Sequence, residues 1–155
     1  TKKYLNIGDI VLDYGCATGA MAFEIADNVK KIHGIAISQK MIGAAKFDES
    51  YKKENFDVIL AFNILHFSED TPKVMQRIHE LLKPGGLFIS ATPCQGETNS
   101  FLGILLFLVT KMGIIPPMRF YKISELEDFV TGENFHIVET ECLNPTEYFM
   151  VAKKK

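Results

Sequence analysis

The chain has 155 residues, 47% of them hydrophobic, and a formal net charge of -2. This length supports one sizeable core and is short for two ordinary domains, so we expect a single domain over residues 1–155. The slight acidity argues against a nucleic-acid partner, because such a surface needs clustered Lys and Arg, and the lysine run at 153–155 is expected to be a solvated tail.

Cysteine usage and the longest apolar stretch limit the cellular setting. The three cysteines Cys16, Cys94 and Cys142 lie far apart without a Cys-x-x-Cys pair, which favours neither a disulfide framework nor a zinc site. No apolar run follows the basic N-terminal residues as in a secretory signal, and the apolar stretch 101–109 is about half the length of a membrane-spanning helix. We therefore expect a cytoplasmic protein with no metal centre and no stable membrane span.

Apolar runs alternate with helical patterns over the first two thirds of the chain. The runs predict strands at 10–12, 31–38, 56–61 and 87–90. Apolar spacing predicts helices from Ala20 to Val29, from a Ser38 cap through Ala45, and from a Thr71 cap to Leu82, with residues 83–86 ending the third. Strands and helices that alternate with short connections indicate a parallel sheet covered on both faces.

The end of the chain has a different pattern. Ser124 and Glu127 predict a capping box for a further helix. Strands are then predicted at 135–139 and 148–152 with only a turn across Asn144 and Pro145 between them, so the two should pair antiparallel. The expected fold is α/β, with a doubly wound, mostly parallel sheet that ends in an antiparallel hairpin, in three α/β/α layers.

One connection is too short for this fold. Residues 46–55 number ten and are mostly polar, whereas a crossover between parallel strands takes a dozen or more. Either the sheet lacks an edge strand, or a segment is absent from the sequence near Lys46 and Phe47, and we favour the second explanation.

Residues 11–19, Val-Leu-Asp-Tyr-Gly-Cys-Ala-Thr-Gly, resemble the first strand and the following loop of class I S-adenosylmethionine-dependent methyltransferases. Glycines let such a loop turn sharply and approach a ligand, although Ala17 stands where the family usually has a third glycine. The resemblance implies a Rossmann-like fold, S-adenosylmethionine as cofactor, and its carboxylate at the helix N-terminus that follows Gly19. The cofactor-binding residues implied in this loop are Asp13, Gly15, Cys16, Ala17 and Gly19.

The end of the second predicted strand aligns with the family's ribose-binding motif. There the resemblance implies binding by Ala36, Ile37 and Ser38, but Ala36 replaces an acidic residue that accepts hydrogen bonds from both ribose hydroxyls. Two charge-assisted hydrogen bonds of about 1.5–3 kcal/mol each would be absent, so weaker binding is expected. Ser38 could substitute only if its hydroxyl does not cap the following helix.

Residues 61–66 resemble the family's fourth motif, at the carboxyl end of a strand beside the switch point of the sheet. The resemblance places Phe62 and Asn63 near the methionine part of the cofactor. His66 is a candidate catalytic base that faces the acceptor, with a purely structural role as the alternative.

Together these motifs predict an enzyme that transfers a methyl group to a small-molecule acceptor, similar to the type 11 and type 12 methyltransferases. Residues 96–119 match no motif and are expected to form a lid-like insertion. Their apolar run has four possible explanations: a lid over an apolar acceptor, a homodimer contact, a membrane-surface patch and core packing. Ala17 and Ala36 motivate an alternative, a catalytically impaired binding or assembly module. An NAD-binding oxidoreductase is disfavoured because Gly-x-Gly-x-x-Gly is absent.

Overall fold

The computed structural model describes residues 1–35, 51–68, 70–94, 109, 112, 119 and 121–155. The six strands of its sheet are β1 Ile10–Tyr14, β2 Lys31–Ile35, β3 Phe56–Phe62, β4 Leu82–Pro93, β5 Phe135–Asn144 and β6 Glu147–Lys154. The α-helices in these ranges are α1 Ala20–Ile25, α2 Thr71–Leu81 and α3 Ile123–Gly132. Short 3-10 turns occupy Lys2–Tyr4, Ala26–Asn28 and Leu65–Phe67.

The strand order is β2-β1-β3-β4-β6-β5. The first four strands pair in parallel, whereas β6 runs antiparallel to both β4 and β5. The predicted parallel sheet with an antiparallel terminal hairpin is therefore confirmed.

Alternation along the strands divides the core between the two faces of the sheet, because successive side chains point to opposite sides. One face buries Leu12, Ile59 and Phe88 against α2 and α3, which contribute among others Met75 and Val130. The other face buries Val11, Leu60, Ile89 and Val151 with Ile25 of α1. Helices on both faces confirm the three-layer α/β/α architecture.

Three predicted helix boundaries were wrong. Helix α1 ends at Ile25 and passes into a 3-10 turn that holds Asp27 and Asn28, residues that favour turns over helix interiors. Helix α2 is capped by Asp70, whose carboxylate accepts a hydrogen bond from Lys73 N, and Thr71 is already helical. Helix α3 starts at Ile123, two residues before the predicted start. Lys122 N donates to Glu125 Oε2 at 2.8 Å, but the Lys122 side chain cannot accept a hydrogen bond, so this end is capped from one side only.

Two predictions about strands were also wrong. Residues 83–86 lie within β4. Leu82 before them pairs with Phe56 and Leu87 after them pairs with Val58, so this segment is an irregular part of the strand and does not separate the helix from it. The lysine run is not a solvated tail: β6 includes Lys154, whose buried ammonium donates to Leu82 O at 2.8 Å.

The remaining predictions concern residues outside the described ranges. They include the end of the second strand, the helix after Ser38, the connection near Lys46 and Phe47, and nearly all of the insertion 96–119. Within the described ranges, β2 pairs only with β1. No helix in that part of the chain is long and apolar enough to cross a membrane.

Candidate functional site

The loop after β1 and the residues after β3 meet at the carboxyl edge of the sheet. Strand β1 has β2 on one side and β3 on the other, which makes this edge the switch point where doubly wound folds bind ligands. The contact is close, because a Cβ placed on Gly15 would lie 2.7 Å from Cγ1 of Ile64. The structure thus brings together two of the predicted motifs.

Three residues of the loop have left-handed backbone conformations: Gly15 at φ +89°, Ala17 at +43° and Gly19 at +78°. Glycine adopts this region freely, whereas an alanine there costs about 1 kcal/mol or more. The loop is fixed to β2, since Gly15 N and Cys16 N both donate to Ile35 O at 2.9 and 3.1 Å. Among the described residues, the amides of Ala17 and Thr18 donate to no backbone carbonyl, so they stand free at the tip.

Asp13 is the penultimate residue of β1 and is buried at 2% exposure. Its Oδ2 has no hydrogen-bond partner in the described part of the chain, and burial raises the pKa of the carboxyl group. A buried polar atom without a partner is costly, so this oxygen is suited to a donor from a ligand. Free loop amides beside an orphaned carboxylate oxygen fit a zwitterionic ligand such as the methionine part of S-adenosylmethionine.

Phe62 and Asn63 lie at the end of β3, as predicted. Asn63 still donates its amide to Ala91 O of β4 at 2.8 Å, and its left-handed φ of +52° ends the extended conformation of β3 there. Both residues line a cavity of about 400 Å³ on the α1 face of the sheet. Its other lining residues are Thr1, Lys3, Met21, Ala91, Glu141, Leu143 and Phe149.

His66 is close to this edge in sequence but is not among the residues that line the cavity. It lies in the turn Leu65–Phe67 at 5% exposure, with its ring centroid 4.0 Å from that of Phe67. Its Nδ1 has no partner in the described ranges, and burial lowers its pKa to about 4. The imidazole is therefore neutral at pH 7 and is a weak base.

Sequence reasoning missed most of the cavity wall. Met21 lies in α1, Phe149 is buried in β6 and Leu143 is an exposed apolar residue of β5. No local sequence signal separates the three from other apolar positions. The predicted binding residues Ala36, Ile37 and Ser38 lie outside the described ranges. In the described part of the chain, no group of three His, Cys, Asp or Glu residues could hold a metal ion.

Solved structures share this architecture. Phosphoethanolamine N-methyltransferase 2 of Haemonchus contortus superposes with a TM-score of 0.80 at 15% identity, covering 99% of this chain and 51% of that chain. An S-adenosylmethionine-dependent methyltransferase of Mesorhizobium loti gives 0.73 at 15% identity, covering 96% and 93%. The [4+2]-cyclase SpnF gives 0.76 at 17% identity, covering 97% and 76%. Likeness at these identities shows the fold alone.

Sequence comparison identifies the family. An uncharacterized methyltransferase of Schizosaccharomyces pombe is 26% identical over 128 residues, covering 70% of this chain and 49% of that protein. A sterol 4-C-methyltransferase of Caenorhabditis elegans is 32% identical over 97 residues, covering 50% and 29%. The chain thus spans half or less of the length of these relatives. The family model described as a methyltransferase domain matches residues 3–140, which is most of the chain, and the chain therefore belongs to the methyltransferase domain family.

Proposed function

We propose that the chain binds S-adenosylmethionine at the carboxyl edge of β1 and transfers its methyl group to a small-molecule acceptor. One observation carries this proposal: the left-handed loop after Asp13 and the turn at Asn63 meet beside a cavity of about 400 Å³. The cofactor would supply a methyl group on a sulfonium, which is displaced in line by the acceptor.

The loop and Asp13 would hold the cofactor. Gly15 and Gly19 give the turn its shape, the amides of Ala17 and Thr18 are free to donate to a carboxylate, and Asp13 Oδ2 is free to accept from an ammonium group. Because α1 has only six residues, we assign little of the binding to its helix dipole. With Ala36 in the ribose-binding position, we expect micromolar or weaker affinity.

The acceptor would lie in the cavity beside Phe62 and Asn63. For an in-line displacement the protein mainly aligns the two reactants, and few dedicated side chains are needed. His66 remains a candidate base, but a pKa of about 4 leaves it poorly matched to proton abstraction at neutral pH. Cys16, Cys94 and Cys142 form no disulfide with a described residue, which is compatible with the cytoplasmic setting that we propose.

Calorimetry with S-adenosylhomocysteine tests cofactor binding, and two glycines provide a matched pair of variants. Gly19 and Gly85 have nearly equal φ values, +78° and +76°, and a Cβ added to them would meet its nearest atom at 3.8 and 3.6 Å, but only Gly19 lies in the loop. Gly19→Ala and Gly85→Ala should therefore cost similar stability, about 1 kcal/mol. We expect Gly19→Ala to weaken binding at least tenfold and Gly85→Ala to leave the dissociation constant unchanged.

Absence of any binding heat at 1 mM ligand with the unmodified protein would overturn the proposal. Equal losses of affinity in the two variants would show that the loop is not the binding site.

A second candidate function is a binding module without turnover, which Ala17 in a left-handed conformation favours. The fold does not decide between the two, since a protein named as a [4+2]-cyclase shares it. Incubation with S-adenosylmethionine and a small-molecule acceptor library separates them: formation of S-adenosylhomocysteine supports the enzyme, and tight binding with no product across the library supports the module.

A further inference from the structure

The cavity beside Asn63 is built across three neighbouring strands. Phe149 of β6 pairs with Ala91 of β4 on one side and with Glu141 of β5 on the other. Residues directly opposite in adjacent strands share one face of the sheet, so these three form a row on the α1 face. The row passes from an apolar floor to a carboxylate at the rim, and Met21 and Phe62 complete the floor.

Among the described residues, the two charged side chains that line the cavity differ in whether they have an ion-pair partner. The charged side chains of its lining in the described part of the chain are those of Lys3 and Glu141. Lys3 Nζ lies 2.9 Å from Oε1 of Glu139, and the hydroxyl of Tyr4 also donates to that carboxylate. Glu139 thus neutralises Lys3 outside the cavity.

Glu141 has no such partner. It is exposed and makes no ion pair or side-chain hydrogen bond with a described residue. With Lys3 compensated, the uncompensated side-chain charge among the described lining residues is negative. The lining also contains the aromatic rings of Phe62 and Phe149, and a ring face attracts a cation.

We propose that this cavity is the acceptor site and that it selects molecules with a compact apolar body and one cationic amine, the body on Phe62 and Phe149 and the amine at Glu141. The assignment rests on the proposed function, because it identifies the cavity as the place of the methyl acceptor. It concerns recognition and does not require the amine nitrogen to be the methylated atom.

The test uses two probes of nearly equal shape and opposite charge, phenethylamine and 3-phenylpropionate. The methyl resonance of Met21 reports binding, and that of Met75, which is buried on the other face of the sheet, is the internal reference. Titrations run with and without S-adenosylhomocysteine, on the unmodified protein, Glu141→Gln and Asp128→Asn. Asp128 is exposed on α3, on the opposite face, and its replacement makes the same change in net charge.

We expect the amine to bind about fivefold more tightly than the carboxylate, which corresponds to the upper range for a solvent-exposed ion pair. Glu141→Gln should abolish this preference and Asp128→Asn should retain it. Lys3→Gln should increase it, because Glu139 would then add a second uncompensated carboxylate near the cavity.

Equal binding of both probes, tighter binding of the carboxylate, or an amine preference that survives Glu141→Gln would overturn the assignment. The proposed function fails separately: it fails if S-adenosylhomocysteine does not bind, whatever the probes do. An amine preference without cofactor binding would support Glu141 as a cation site and overturn its assignment to a methyl acceptor.

Discussion

Gly15 and Ile64 are packed so closely that a Cβ on Gly15 would lie 2.7 Å from Cγ1 and 2.9 Å from Cβ of Ile64. This contact joins the loop after β1 to the turn after β3. Glycine is therefore required at position 15 for two reasons: its φ is +89°, and Ile64 leaves no space for a Cβ.

Gly15→Ala should destabilise the protein by about 2–4 kcal/mol, because backbone strain and overpacking each cost about 1–3 kcal/mol. Urea denaturation measures the loss. Gly8→Ala is the control, since a Cβ there meets no atom within 4 Å and its φ is not positive; it should change stability by less than about 0.5 kcal/mol. Ile64→Ala removes Cγ1 and Cδ1, which lie 2.7 and 3.1 Å from the added Cβ. Gly15→Ala should therefore cost less in an Ile64→Ala background than in the unmodified protein, and an equal cost would contradict the contact as its cause.

Asp57 links β3 to the turn within β4. Its carboxylate accepts hydrogen bonds from Lys83 Nζ at 2.7 and 2.8 Å and from Ile10 N at 2.8 Å. Partial burial alone would raise the pKa of Asp57, but the hydrogen bonds from Lys83 and Ile10 outweigh it and hold the pKa below its usual value. Asp57→Asn should cost about 1 kcal/mol at pH 7, a modest value because both partners of the ion pair are partly exposed.

The pH dependence has a defined sign. Since the folded-state pKa of Asp57 is depressed, its stabilisation is complete above the unfolded value of 3.8 and is lost as the pH falls below it. The difference in unfolding free energy between the protein and Asp57→Asn should stay constant from pH 7 to about pH 5 and shrink towards pH 2. A constant difference over the whole range would show that the carboxylate charge is not involved.

His66 should control stability at higher pH than Asp57, between about pH 6.5 and pH 4. Burial lowers its pKa from 6.5 to about 4. Between these two pH values His66 is therefore protonated in the unfolded chain and neutral in the folded protein. Stability is complete above about pH 6.5 and should fall as the pH drops towards 4, by up to about 3 kcal/mol. His66→Gln should flatten this slope; an unchanged slope would assign it to other groups, and titration of the His66 ring by NMR measures the pKa directly.

Tyr121 and Thr71 form a buried hydroxyl pair. The Tyr121 hydroxyl bonds the Thr71 hydroxyl and also donates to Leu65 O at 3.2 Å, next to His66. Tyr121→Phe leaves the Thr71 hydroxyl buried without this partner and should cost about 1–2 kcal/mol in urea denaturation. Thr71→Val combined with Tyr121→Phe should cost clearly less than the sum of the two single changes, whereas additive losses would mean that the two hydroxyls are not coupled.

The sequence predicted the sheet well because its strands are apolar runs separated by turn residues. The helix caps were missed because neighbouring candidates compete: Asp70 and Thr71 both have cap-forming side chains, and the hydroxyl of Thr71 is used by Tyr121, which lies 50 residues away. A contact over such a distance gives no signal in the sequence around Thr71. Lys154 is a similar case, since its backbone acceptor belongs to Leu82.

The candidate site likewise has a part that the sequence predicts and a part that it does not. Gly15 and Gly19 were predicted because left-handed turns select glycine wherever they occur. The cavity wall was not predicted, because the row of Ala91, Phe149 and Glu141 depends on the registers of β4 with β6 and of β6 with β5. Ala91 and Phe149 are separated by 58 positions, and register over such a distance is set by the whole sheet.

The strand order has a consequence for synthesis on the ribosome. Strand β6 is synthesised after the other five described strands, yet it lies between β4 and β5. Until residues 147–154 emerge, the nascent chain carries β4 with one open edge, and β5 has no partner among the described strands. Open edges invite pairing with other chains. The nascent sheet therefore depends on residues 147–154 to close, and a ribosome that stalls just before them would expose an aggregation-prone folding intermediate.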